Sequence, residues 1–239
     1  MSRNPFFLFL RALKGFREFN ILDHEDREIV FYSEDNASWV FFEPIIKELL
    51  KTHGKNICYL TSSADDPILS SQRKKIKSFY IGRGIVRTYL FLALKAKTMV
   101  MTMPELETYQ IKRSRAQQVH YVYVFHGMVS TTMVYRLYAF DHFDALLCVG
   151  PYQIKEIRAN EELYQLKPKI LVESGYGRLD SIIEEAQSHP QSAHREGKKK
   201  ILIAPTWGDN ALLETCAFNL VDLLLENVGG MLSISGGYP

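Results

Sequence analysis

The chain has 239 residues, 46% of them apolar, which is enough to bury a sizeable core and excludes a disordered protein. Lys and Arg number 29 against 27 Asp and Glu, a formal charge of +2, which excludes the uniform basic field of a nucleic-acid binder. Cys58, Cys148 and Cys216 lie far apart with no CxxC spacing, so neither a disulfide framework nor a zinc site is indicated, and a reducing cytoplasm is the expected compartment.

The N-terminus, MSRNPFFLFLRALKGFREF, has an apolar run over 5–10 that Arg11 interrupts, too short for a signal core or a membrane span. At helical spacing Phe6, Leu10, Leu13 and Phe16 or Arg17 share a side, with Arg11, Lys14 and Arg17 interspersed. This pattern predicts an amphipathic basic helix, either packed on its own domain or touching a membrane surface through 1–17.

From residue 27 onward, strand-like apolar runs alternate with helical patterns. Strands are expected at 28–32, 56–60, 78–81, 98–101, 120–125, 145–149, 169–172 and 200–204, and helices at 37–53, 84–95, 152–164, 180–186 and 210–226. Short apolar strands separated by helices require a parallel sheet covered on both faces, so the class is α/β, doubly wound and Rossmann-like. The polar run HPQSAHREGKKK interrupts this order and reads as a solvated linker, since no aromatic residues interleave with its lysines as in a nucleic-acid arm. The expected organisation is a basic N-terminal segment 1–26, a Rossmann-like domain 27–188, a linker 189–199, and at 200–239 only the start of a second Rossmann-like domain.

Ligands of open α/β sheets bind beyond the carboxyl ends of the strands. The residues there are Ser33, Glu34 and Asp35; Thr61, Ser62 and Ser63; Gly82; Thr102; His126 and Gly127; Gly150; Ser174, Gly175 and Tyr176; and Pro205, Thr206 and Trp207. The sharpest of these is in VHYVYVFHGMVST, where a β-branched and aromatic strand ends on a histidine. An imidazole accepts a proton near neutrality, glycine permits close approach, and the hydroxyls of Ser130, Thr131 and Thr132 with the following helix-start amides suit an anion. The alternative is a histidine that only hydrogen-bonds a neighbouring loop. In GYGRLD, Arg178 suits a phosphate and Asp180 a helix cap, although an ion pair and capping alone would explain both. Asp141, His142 and Asp144 resemble metal ligands but read as a helix end running into a strand, and no metal is expected. Dinucleotide, nucleophile-elbow and Walker motifs are missing from the sequence.

The series FHGMVST, FDALLCVGPYQIKEI, ESGYGRLDSI, a basic linker and KKILIAPTWGD resembles the CDP-glycerol glycerophosphotransferase family of teichoic-acid primases and polymerases, over about 121–209. The resemblance implies a two-domain GT-B-like architecture and attack of an acceptor hydroxyl on the phosphorus of CDP-glycerol, with release of CMP. It places the catalytic base at His126. It places substrate contacts at Gly127, Ser130, Thr131, Gly150, Gly175, Tyr176, Arg178, Asp180, Pro205, Thr206 and Trp207. It further implies a CDP-activated polyol donor, a lipid-linked or saccharide acceptor, no cofactor, and a cytoplasmic location, peripheral on the inner face of the membrane.

This chain departs from the family pattern in having Phe125 where Trp is common, MVSTTMVYR where Pro-Leu-Lys is common, and Gly177 where proline is usual. The family's Arg-Pro-His-Pro strand has no counterpart before residue 239, so an incomplete donor side, and a fragment inactive on its own, are expected. A sugar-nucleotide glycosyltransferase or epimerase would share the architecture without the APTW and GYGRLD pair. A non-catalytic α/β binding domain is the rival from another class.

Overall fold

The computed structural model describes residues 4–71, 73–108, 110–188, 202–203, 211–228 and 233–234. The chain divides into two compact units, Met1–Glu184 and Glu185–Pro239. Within the first lie seven strands, β1 Ile29–Ser33, β2 Ile57–Thr61, β3 Ile76–Tyr80, β4 Thr98–Met101, β5 His120–Val124, β6 Ala145–Cys148 and β7 Ile170–Glu173. They fall within one or two residues of the predicted runs. The helices are α1 Pro5–Asn20, α2 Trp39–Lys51, α3 Ile85–Leu92, α4 Thr131–Val134, α5 Pro151–Leu163 and α6 Gly177–Ser188, the last of which continues into the second unit. In that second unit the predicted helix 210–226 is broken into α7 Leu212–Thr215 and α8 Ala217–Val228. Of the predicted strand 200–204, β8 Leu202–Ile203 is described, paired in parallel with β9 Ser233–Ile234.

The seven-stranded sheet has the order β3-β2-β1-β4-β5-β6-β7 and every pair is parallel. Strand order therefore reverses between β1 and β4, which opens a crevice at their carboxyl ends. The alternation of side chains explains why the strands read as continuous apolar runs. Val30, Tyr32, Met99, Met101, Tyr121 and Tyr123 enter one core with Phe19, Leu90, Phe91 and Ile157 from the helices. Phe31, Ile57, Tyr59, Val100 and Val124 enter another, against Phe42 and Ile46 of α2. With both faces buried, no strand can slip by one residue without exchanging two apolar surfaces, each buried large side chain being worth about 1.5–3 kcal/mol.

Helix α1 packs on β3 and α3 as part of this unit. Asn4 caps it by accepting from the Phe6 amide, and Pro5 follows the cap. Its buried residues are Ala12, Gly15 and Phe19; of the expected side, Leu13 and Phe16 pack beside them, whereas Phe6 and Leu10 are exposed together with Phe7 and Phe9. The reason is close approach: a Cβ at Gly15 would overlap the Tyr80 carbonyl, so the helix turns its glycine to the sheet. Among the described residues no helix is long and apolar enough to cross a membrane.

Candidate functional site

Strand β5 ends because its last side chains are committed to the core. Tyr123, Val124 and Phe125 are buried, and the Phe125 amide makes a final contact with the Leu147 carbonyl at 3.4 Å. His126 is the next residue and emerges at the strand tip. Its ring meets Phe41 at 5.9 Å, Tyr123 at 6.4 Å and Tyr135 at 6.5 Å between centroids. His126 nevertheless remains exposed, so these rings displace water from only part of the imidazole.

That partial desolvation holds the His126 pKa below its ordinary value of 6.5, since burial penalises the charged form; the Asp35 carboxylate acts in the opposite direction and is outweighed. Asp35 follows β1 and is fixed by accepting from the Ala37 amide at 3.0 Å and the Ser38 hydroxyl at 3.2 Å. Nδ1 of His126 lies 3.3 Å from the Tyr123 hydroxyl, which donates in turn to the Tyr135 hydroxyl at 3.4 Å. Burial raises both phenol pKa values, Tyr123 well above the ordinary range, so both remain protonated.

The end of β7 closes the site from the other side. The Tyr176 hydroxyl donates to the His126 carbonyl at 3.1 Å, and its ring lies 6.0 Å from Phe41. Arg178 places its guanidinium 5.8 Å from the Phe41 ring centroid. Gly175, before them, has φ of +73°, the left-handed conformation that glycine adopts without strain. Asp35 and Phe41 come from beyond β1, His126 from β5, and Tyr176 and Arg178 from beyond β7, so one patch at the carboxyl edge is assembled from three strand ends.

Gly127 and the loop after it are held by a residue that the sequence reading passed over. Gln153, fully buried on α5, accepts from the Val149 amide at 2.8 Å and donates to the carbonyls of Gly127 at 3.3 Å and Val129 at 3.1 Å. Gln153 lies in the FDALLCVGPYQIKEI run, but nothing in sequence marks a glutamine as a staple. A Cβ on Gly127 would meet only Val129 at 3.6 Å, ordinary contact, so packing within the chain does not demand glycine there. Gly150 is the extended N-cap of α5.

Two expectations are corrected. The Ser130 and Thr131 hydroxyls do not stand open for an external anion, because Glu156 already occupies the place: its carboxylate accepts from the Thr131 amide at 2.6 Å and hydroxyl at 2.7 Å. Burial opposes ionisation of Glu156, but these bonds, with help from Ser130 and Thr132, outweigh it and lower its pKa. Ser130 itself caps α4 by accepting from the Met133 amide. Asp180 is not the cap of α6, since the helix begins three residues earlier at Gly177; it stands in the first turn, exposed, where the helix dipole favours a carboxylate. Arg178 is exposed and stacked on Phe41. Asp144 accepts from Arg113 at 3.0 Å and the Tyr121 amide at 2.8 Å. Pro205, Thr206 and Trp207 lie outside the described residues.

The fold is similar to that of a solved structure titled "Structure of the Wall Teichoic Acid Polymerase TagF", with a TM-score of 0.50 and 14% sequence identity over 100% of this chain and 66% of that one. At that identity the likeness concerns the fold, and this chain spans 66% of that structure's length. No curated protein matches the chain in sequence. A family model described as CDP-Glycerol:Poly(glycerophosphate) glycerophosphotransferase matches residues 16–228, which takes in all seven strands of the sheet and every residue of the His126 patch. The chain belongs to the CDP-glycerol:poly(glycerophosphate) glycerophosphotransferase family.

Proposed function

We propose that this unit is the acceptor side of a GT-B-like transferase that moves glycerol phosphate, or a related polyol phosphate, from a CDP-activated donor to a hydroxyl acceptor in cell-surface polymer synthesis. The observation that carries this reading is the placement of His126: an exposed imidazole at a strand tip, packed against Phe41, Tyr123 and Tyr135, with burial and Asp35 acting on its pKa in opposite directions. In the proposed reaction the acceptor oxygen bonds to the phosphorus that carries the glycerol, the bond to the CMP oxygen breaks, and the hydroxyl proton passes to His126.

In the proposed reaction His126 Nδ1 keeps its proton toward the Tyr123 hydroxyl, which turns its own toward Tyr135. Nε2 is then the unprotonated nitrogen and takes the proton. When that happens the imidazolium is stabilised by Asp35. Arg178, carried on the same patch by Phe41, supplies positive charge for the donor phosphates.

A lipid-linked acceptor would explain the exposed aromatic start of α1. Phe6, Phe7, Phe9 and Leu10 are exposed there, Phe9 also lines a cavity of about 250 Å³ with Leu8, Tyr80 and Ile85, and we place the inner membrane surface against this end.

The test is CMP release from CDP-glycerol in the presence of a polyol-phosphate acceptor by the full-length enzyme. His126→Ala is expected to lower turnover by roughly 10²- to 10⁴-fold while the melting curve is retained. Near-normal turnover in that variant would remove His126 from the reaction.

A further inference from the structure

On the far side of Tyr135 from His126 the first unit contains a cavity of about 180 Å³, between the 135–141 turn and α5. A cavity of roughly 150 Å³ accommodates one six-membered ring, so the space suits a single ring and not a nucleotide. The turn is anchored from below: Ala139, Phe140 and Phe143 are buried in the core, and the Phe140 ring lies 4.9 Å from both Tyr123 and Tyr135. The opening is therefore preformed.

Its lining combines two kinds of surface. Tyr138 and Tyr164 meet edge to face at 6.0 Å and keep 49% and 40% of their surface exposed, so their rings remain available to a ligand. Tyr138 holds this position with φ of +69°, a left-handed conformation that side chains rarely adopt and that persists only where surrounding contacts enforce it. At the base, Lys169 is buried with its Nζ 3.9 Å from Asp141 and 3.8 Å from Glu161. Both distances exceed hydrogen-bond length, so the ammonium has donors to spare, while the Asp141 carboxylate has acceptors beside them. Asn160 adds an amide.

Charge decides which ligand this suits. Asp141 and Glu161 face Lys169, Glu161 is also paired with Arg158, and Arg136 at the rim is paired with Glu105 at 3.5 Å, so the charges balance and no net positive charge is left to compensate a phosphate. Aromatic edges, an adjacent donor and acceptor, and local neutrality together match a ring with an apolar face and vicinal hydroxyls. We infer that this cavity is a subsite for a neutral pyranose ring, packed against the exposed ring surface of Tyr138 and Tyr164 with its hydroxyls on Lys169, Asp141 and Asn160. Its role as an acceptor subsite, one tyrosine away from the base, rests on the transferase reading; its binding does not.

The experiment is titration of the 239-residue protein with methyl α-D-glucopyranoside, followed by ligand-observed NMR, with sn-glycerol 3-phosphate as the charged comparison. Weak saccharide binding is expected, reduced by about tenfold or more in Asp141→Asn and in Tyr138→Gly, where glycine tolerates the backbone and removes only the ring. Tyr138→Phe should retain it, and so should His126→Ala, which separates this site from the fate of the base. Absence of pyranoside binding, or binding indifferent to both Asp141→Asn and Tyr138→Gly, would overturn the assignment. Preferential binding of glycerol phosphate that disappears in Arg136→Ala would overturn it too, as the mark of a phosphate site.

Discussion

Gly177, the first residue of α6, lies directly against Pro44 in the middle of α2: a Cβ on Gly177 would come within 2.5 Å of the Pro44 Cγ. Proline is a rigid ring, so the neighbour cannot give way. The glycine that stands where the family usually has proline is thus paired with a proline on the facing helix, and the two positions are coupled.

Gly177→Pro alone is expected to destabilise the fold by about 1–3 kcal/mol through overpacking, even though a first helical position accepts proline. Combined with Pro44→Ala, which removes the obstacle and restores an internal helix amide, most of that loss should vanish. Chemical denaturation of the two single variants and the double variant measures the coupling. Additive effects would mean that the contact does not constrain residue 177.

The pH profile of kcat/KM should fall on its acid side with a midpoint below 6.5, because burial keeps His126 from protonating until the solution is more acidic than usual. Asp35→Asn keeps the turn-capping oxygen but removes the charge that favours the imidazolium. The midpoint should therefore move to lower pH still. An acid limb that does not move belongs to another group.

Replacing Gln153 with leucine preserves bulk but strands the Val149 amide and the carbonyls of Gly127 and Val129. A loss of about 2–4 kcal/mol is expected, along with a fall in turnover beyond what the unfolded fraction explains, since the loop carrying His126 loses its anchor. Wild-type stability in urea titration would show that water replaces the staple without cost.

Membrane contact is best tested at the exposed end of α1. Removing 1–17 would also strip Ala12 and Gly15 from the core. Phe6→Ser with Phe7→Ser leaves the packed half of the helix in place. Cosedimentation with anionic vesicles at low salt should drop, with the melting temperature unchanged. Vesicle binding equal to that of the unaltered protein would reduce α1 to a packing element.

The α/β class and nearly every strand of the sheet were legible in sequence, because parallel strands buried on both faces leave short continuous apolar runs between helical patterns. His126 was legible too, as a polar residue ending such a run, and so was Gly175, a glycine in a turn that demands a left-handed residue. The broken helix at Cys216 and the extent of α6 were not, since local periodicity continues through a kink and does not mark helix ends. The stripe read on α1 was legible in part, in Leu13 and Phe16, but the close approach of Gly15 to Tyr80, which no hydrophobic pattern encodes, brings Ala12 and Gly15 to the sheet and leaves Phe6 and Leu10 outside. What only the tertiary structure decided is which side chains surround the histidine. Phe41, Tyr123, Tyr135 and Tyr176 come from elements up to 135 positions apart, and burial among such side chains, opposed by Asp35, lowers the pKa of His126. Glu156, 25 residues from Thr131, fills the anion place that the hydroxyls of 130–132 seemed to offer. Strand registers follow from local patterns that repeat along one segment, whereas a site's electrostatics depend on distances between segments, and those are determined only when the sheet order brings the strand ends together.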